Sequence, residues 1–201
     1  MCVCDSPDEW PVRLQQLGLP SNAIGFARPV TATTEFAPDV CQALEAFWSA
    51  PDKAAVTTHC QTGTRDDYYL KTERVRITKR VKVHGKWVKR KVWVTEQVVE
   101  YGPVPVYGAC PQLWGTLVAL SVPAHEAIHI GGVIDEGITE CYAVQHFAEV
   151  AEHFGATPAL AHELAVIYWT WVYPRKESAY YRFDCVDGSA LDLNPASDIW
   201  P

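Results

Sequence analysis

The segment His125-Glu126-Ala127-Ile128-His129 sets two imidazoles four residues apart with a carboxylate beside the first of them. On a helix, residues at that spacing share a face with Cβ atoms about 5–6 Å apart, so both rings can reach one Zn²⁺ through bonds of about 2.0–2.1 Å. Glu126, one residue further round, can then act as general base toward a zinc-activated water. With 7 His among 201 residues, accidental matches to this pattern are expected about 0.015 times. A catalytic zinc also needs a third protein ligand and an open position. Beyond Gly131-Gly132 stands Asp135-Glu136-Gly137-Ile138-Thr139-Glu140. Glu136 falls in the first turn of a following helix, where the helix dipole favours a carboxylate, and the Gly-Gly linker folds that helix back toward the histidines. Glu140, one turn on, is placed either to accept the free ring N–H of His125 or His129, a contact that fixes the tautomer, or to be the third ligand itself.

H-E-x-x-H followed by a helix bearing E-x-x-x-(D/E) resembles the gluzincin metallopeptidases, whose thermolysin-type members read N-E-x-x-S-D where this chain reads D-E-G-I-T-E. The resemblance implies His125, His129 and Glu136 as zinc ligands, Glu126 as catalytic base and Glu140 as the acid behind the ligands, acting on a peptide or protein substrate. The linker is much shorter than in thermolysin-like enzymes, which keeps both Glu136 and Glu140 open as third ligand. His129 is followed by Ile-Gly-Gly-Val-Ile-Asp, so the H-E-x-x-H-x-x-G-x-x-H pattern of metzincins is absent. The stretches HEAIHIGGVIDEGITECYAVQ and YYRFDCVDGSALDLNPASDIWP are similar to small bacterial proteins identified only as H-E-x-x-H metallopeptidases, a likeness that implies a fold and zinc but no substrate. Cys141 lies in the first stretch and Cys185 in the second, so the likeness raises a bridge between them; two buried thiols are the alternative. An oxyanion-stabilising side chain is also expected. Tyr142, His146, His153, Tyr180, Tyr181 and Arg182 qualify by type, and spacing distinguishes none, although His146 and His153 read as the solvated face of their helix.

The elements that must carry these residues are mostly helical. A segment from Pro111 to Leu120 is kinked or restarted by Pro123 and runs through His129. Asp135 caps a helix to about Phe154, closed by Gly155, and Thr157-Pro158 opens another to about Tyr173. The interior LAVIYWTWVY of that last helix is apolar all round, hence buried. Upstream, a short helix at Pro11 to Leu17 stops at Gly18, and Asp39 caps a helix to Ser49. From Leu70 to Glu100 apolar residues recur at period two on both sides of His84-Gly85, which reads as a long β-hairpin with Gly85 in the turn. Tyr101 to Gly108 reads as a turn-rich connector, and Arg175 to Pro201 as a surface loop with a turn at Asp187-Gly188. The whole is an α+β chain: a single zincin-like domain over 1–201, with a minimal helical metal-binding core at 111–173 and a β-hairpin or small antiparallel sheet at 71–100.

Composition is that of a folded domain, 48% hydrophobic and 20% charged, which excludes collagen-like, disordered and coiled-coil classes. No apolar run reaches the roughly 18 residues of a membrane span, and MCVCDSPDEWPVR has neither the basic nor the apolar region of a signal peptide. Seven cysteines leave two compartments open, an oxidising one with up to three disulfides or a cytoplasmic one with reduced thiols. The net charge of -7 conceals a segregation: residues 71–91 hold ten of the 17 basic residues and one acid. Lys79, Arg80, Lys82, Lys86, Lys89, Arg90 and Lys91 make the hairpin a candidate arm for an anionic partner, whether nucleic acid, anionic lipid or an acidic protein. The bland alternatives are a solvated edge whose lysines prevent edge-to-edge pairing and a cationic surface docking on the chain's own acidic body; the rival to a peptidase is a non-enzymatic metal-containing protein that binds its anionic partner through this hairpin. Valine-rich Lys91 to Glu100 is also the expected edge along which an extended peptide would add as a strand above the zinc cleft.

Overall fold

The computed structural model describes residues 2–53, 60–83, 86–107, 110–197 and 200–201. Among them are strand β1 (Cys2–Cys4), helix α1 (Glu9–Leu17), strands β2 (Gly25–Arg28) and β3 (Thr33–Phe36), and helix α2 (Pro38–Ser49). Two long strands follow, β4 (Gln61–Val83) and β5 (Lys86–Tyr107), and then helices α3 (Trp114–Ile130), α4 (Glu136–Gln145), α5 (Phe147–His153) and α6 (Pro158–Ile167). The class is α+β, as expected. No helix among the described residues is long and apolar enough to cross a membrane.

Helix α3 lies at the centre. Its buried residues run almost without a break from Ala119 through Glu126, omitting only Pro123, because it packs against α2, α4 and α5 and against strands β2 and β3. Pro123 lies inside this helix without ending it. The surrounding core is aromatic and aliphatic: Phe36, Leu44, Phe47, Leu117, Leu120, Phe147, Leu164, Ile167, Tyr168 and Tyr173.

The N-terminal residues also form a small sheet that no periodicity in the sequence announces. Its strands lie in the order β1-β3-β2, with β1 parallel and β2 antiparallel to β3. Strands of three and four residues leave too little alternation to register as a period. Burial makes them strands: Thr34, Glu35 and Phe36 are covered, Glu35 pairs with Arg13 and Arg28, and Phe26 stacks on Trp10. Helix α1 ends at Gly18, whose φ of 66° supplies the left-handed cap foreseen there. Helix α2 begins one residue early, with Pro38 in its first turn, and the Asp39 carboxylate accepts only the adjacent Val40 N–H.

The hairpin is longer than its apolar alternation indicated. Strands β4 and β5 pair from Gln61↔Tyr107 to Val83↔Lys86, so Tyr101–Tyr107 is strand rather than connector. In a two-stranded ribbon both strands are edges, which lets Pro103 and Pro105 sit in β5 without a missing donor. The turn at His84-Gly85 lies outside the described residues.

Asp135 caps α4 through Oδ1, which accepts the Ile138 N–H at 2.8 Å, but the helix breaks at His146 before α5. Thr157 caps α6 in the same way toward Leu160. Helix α6 then widens into a π-turn over Tyr168–Val172, followed by a 3₁₀ turn at Tyr173–Arg175. The tail crosses back over α4, held by Gln145, which donates to Leu191 O and accepts from Leu193 N. Three cysteine pairs stand at disulfide distance: Cys4–Cys41, Cys60–Cys110 and Cys141–Cys185, with Cα separations of 6.1, 5.4 and 5.6 Å. Such a set is typical of oxidising compartments. The second pair, itself buried, closes the root of the ribbon.

Candidate metal centre

Helix α3 ends in a Schellman motif: Gly132 at φ 96° follows the cap, its N–H reaches His129 O, and the Val133 N–H reaches Ile128 O. This turn presents the Val133 carbonyl to Nδ1 of His129 at 2.7 Å. A carbonyl only accepts, so Nδ1 of His129 carries the proton and Nε2 is left with a lone pair. Nδ1 of His125 lies 2.9 Å from Oε2 of Glu140. The other Glu140 oxygen accepts from the Tyr168 hydroxyl and lies 3.2 Å from Lys176 Nζ. Glu140 is therefore a carboxylate with both oxygens engaged, and it holds the Nδ1 proton of His125, so that Nε2 is the nitrogen turned toward Glu136 and His129.

Those two Nε2 atoms are 3.0 Å apart, and Oε2 of Glu136 lies 3.0 Å from the first and 3.3 Å from the second. Three ligand-type atoms thus converge within 3.0–3.3 Å of one another, a spacing that a cation at their centre would satisfy, as would a proton on His125 Nε2 donated to Glu136. His125, His129 and Glu136 form a group that could hold a metal ion. Glu140 takes the opposite side of His125, away from that centre.

The charges respond to this crowding. Burial opposes protonation of His125, yet its bond to Glu140 and the carboxylates of Glu140, Glu126 and Glu136 lift its pKa above the ordinary value. Burial alone would raise Glu140, but His125, Lys176 and Tyr168 hold it below the usual carboxylate range. Burial also keeps the Tyr168 hydroxyl protonated, its pKa well above normal, so that it donates to Glu140. Glu126 is different: burial pushes it up to about 6, Glu136 adds to the rise, and His125 and His129 oppose it.

Glu126 lines the same cavity, of about 650 Å³, as both histidines, Glu136 and Glu140. Another wall is formed by Ile24 and by Gly25, Phe26 and Ala27 of strand β2, an edge of the N-terminal sheet among the described residues. A Cβ on Gly25 would meet Val122 Cγ1 at 2.7 Å, Glu126 Oε1 at 3.1 Å and Phe36 Cδ1 at 3.3 Å, so only glycine lets this strand approach α3 so closely. Among the described residues the edge strand that lines the cavity is β2; the expected edge, Lys91–Glu100, pairs on one side with Tyr69–Thr78 of β4.

Of the six candidates for oxyanion stabilisation, Tyr180 alone among the described residues lines the cavity, its ring 5.8 Å from that of His125. His146 pairs with Glu149 and His153 is exposed. Gly25, Tyr168 and Lys176 were not distinguished by sequence: a glycine in an irregular stretch, a tyrosine in an all-apolar helix and a lysine in a tail carry no signal of what they meet. Among the described residues, no basic residue of the hairpin lines the cavity. The chain matches no family model, no curated protein and no solved structure.

Proposed function

We propose that the protein is a zinc-dependent metallopeptidase of gluzincin type, hydrolysing peptide bonds with Glu126 as general base. The observation that carries this reading is the convergence of His125 Nε2, His129 Nε2 and Glu136 Oε2 at 3.0–3.3 Å. Four ligands held tetrahedrally at 2.0–2.1 Å stand about 3.3–3.4 Å apart, so two imidazoles and a carboxylate at this spacing suit Zn²⁺ with a fourth position open. Zinc bound there supplies a Lewis acid for the scissile carbonyl and an acidified water.

The chain's own residues do the rest. Glu126, with a pKa near 6, is mostly ionised at neutral pH and accepts a proton; once protonated it is acidic enough to pass that proton to the leaving amine. The exposed edge of β2 offers backbone donors and acceptors to an extended peptide running past Glu126. Tyr180 supplies a hydroxyl to the developing oxyanion. A purely structural metal centre would need no carboxylate of raised pKa in its cavity. The three cysteine pairs support action in an oxidising, extracytoplasmic compartment.

The test is zinc content and peptidase activity of the wild type against Glu126→Gln and a His125→Ala/His129→Ala double variant. The expected result is one zinc per wild-type chain, retained with activity lost in Glu126→Gln, and no zinc in the double variant. Stoichiometric zinc with no cleavage of a mixed peptide library by the wild type would remove the enzymatic reading. Unchanged zinc in the double variant would remove the site.

A further inference from the structure

The ribbon formed by β4 and β5 is unlike the rest of the molecule. At about 3.3 Å per residue a strand the length of β4 extends on the order of 70 Å, and its root is closed by Cys60 and Cys110 in the core. From Arg74 to Thr95 the sequence contains no acidic residue. The register decides how its cations are arrayed. Directly paired residues share a face and successive residues alternate, so Arg76, Thr78 and Arg80 lie on one face with Trp87, Lys89 and Lys91. Every one of these side chains is exposed, Trp87 at 65%. The other face carries Val75, Ile77, Val92 and Val94, partly buried, followed toward the turn by Lys79 and Arg90, which are exposed.

Two of the cross-strand pairs, Lys79↔Arg90 and Arg80↔Lys89, set cation against cation. Like charges directly opposite destabilise a sheet, and a two-stranded ribbon is marginal even without them. No ion pair with a described carboxylate engages Lys79, Arg80, Lys89, Arg90 or Lys91. Among the described residues, then, no carboxylate is paired with any of these five cations. Unlike charges from outside would relieve both the pairing and the field.

We propose that the distal ribbon docks on an anionic phospholipid bilayer, holding the cavity at a membrane surface. The amphipathic form selects lipid over nucleic acid. A bilayer takes the amphipathic ribbon whole: with the valine face toward the acyl boundary, Lys79 and Arg90 on that face meet the phosphate plane directly, and the long stems of Arg80, Lys89 and Lys91 on the opposite face reach back to it. A polynucleotide would use the cationic face and leave the valine face wet. The cysteine pairs point to the same choice, since an oxidising compartment presents a membrane surface and not a standing pool of nucleic acid. The inference stands apart from the peptidase reading and uses none of its residues.

The experiment is co-sedimentation of the full chain with vesicles of phosphatidylcholine alone and of phosphatidylcholine with 30% phosphatidylglycerol, at low and at high salt, beside single- and double-stranded DNA at the same salt. Binding to the anionic vesicles alone, weakened by salt, is expected. Each cation removed near the surface should cost about fivefold in affinity, so an Arg80→Gln/Lys89→Gln/Lys91→Gln variant should bind about a hundredfold more weakly. The charge-preserving Arg80→Lys/Lys89→Arg variant should bind as wild type, which separates loss of charge from loss of fold. Glu126→Gln should also bind as wild type. Equal affinity for neutral vesicles, no affinity for anionic ones, indifference to the triple substitution, or tighter binding to either DNA would overturn the proposal.

Discussion

Oε2 of Glu140 lies 2.9 Å from Nδ1 of His125, on the side of the ring opposite the nitrogen that faces His129 and Glu136. One buried carboxylate thus decides which nitrogen of His125 is available as a ligand. Because Lys176 and Tyr168 occupy its other oxygen, Glu140 cannot swing toward the metal group without breaking two further contacts.

Glu140→Gln removes the charge while keeping the shape. An amide can turn its NH₂ toward His125 and select the wrong tautomer. Zinc affinity should fall about 10–100-fold, read by competition with a calibrated chelator. Glu136→Gln, which removes a donor from the convergent group itself, should cost more than Glu140→Gln; the reverse order would assign the third ligand to Glu140.

The raised pKa of Glu126 makes it a load on the metal-free protein. A carboxyl whose folded pKa of about 6 exceeds its ordinary 4.5 binds its proton more tightly when folded. Its destabilising effect is absent below pH 4.5, grows as pH rises, and is complete above pH 6. At about 1.36 kcal/mol per pKa unit this amounts to about 2 kcal/mol. Urea denaturation in the presence of a chelator should find Glu126→Gln more stable than wild type by up to that amount at pH 7.5 and equal to it at pH 4.

Gly25→Ala tests the approach of β2 to α3. The added methyl group would stand 2.7 Å from Val122 Cγ1 and 3.1 Å from the Glu126 carboxylate, so strand or carboxylate must shift. A loss of about 1–3 kcal/mol in stability is expected. On the proposed function, kcat/KM for a peptide substrate should drop while zinc content stays at one per chain, a split that global unfolding would not produce.

The Cys141–Cys185 pair spans a sequence separation of 44 and joins α4 to the tail that follows Lys176 and Tyr180. In the chain-entropy account such a bridge is worth about 4 kcal/mol, with measured bridges commonly giving about 2–4. A Cys141→Ser/Cys185→Ser variant should lose that much in urea denaturation. It should also bind zinc more weakly than wild type, since the loop that presses Lys176 on Glu140 is no longer tethered.

The centre was legible in the sequence because it is built by short-range geometry. His125, Glu126 and His129 need only a helix, and Glu136 needs only the sharp turn that Gly131 and Gly132 provide, so four side chains of the candidate site come from twelve consecutive residues. The caps at Gly18, Asp135 and Thr157 and the alternation around the ribbon are local in the same sense. Everything that completes the cavity is long-range. Gly25 reaches Glu126 across a hundred residues of sequence, Tyr168 and Lys176 reach Glu140 from beyond two further helices, and the short strands β2 and β3 pack against α3. Periodicity and capping report what a residue does to its neighbours in the chain. Only tertiary packing fixed which edge strand lies beside the carboxylate, which tyrosine of several faces the histidines, and which way each imidazole points. Those depend on the burial of groups that no local pattern brings together.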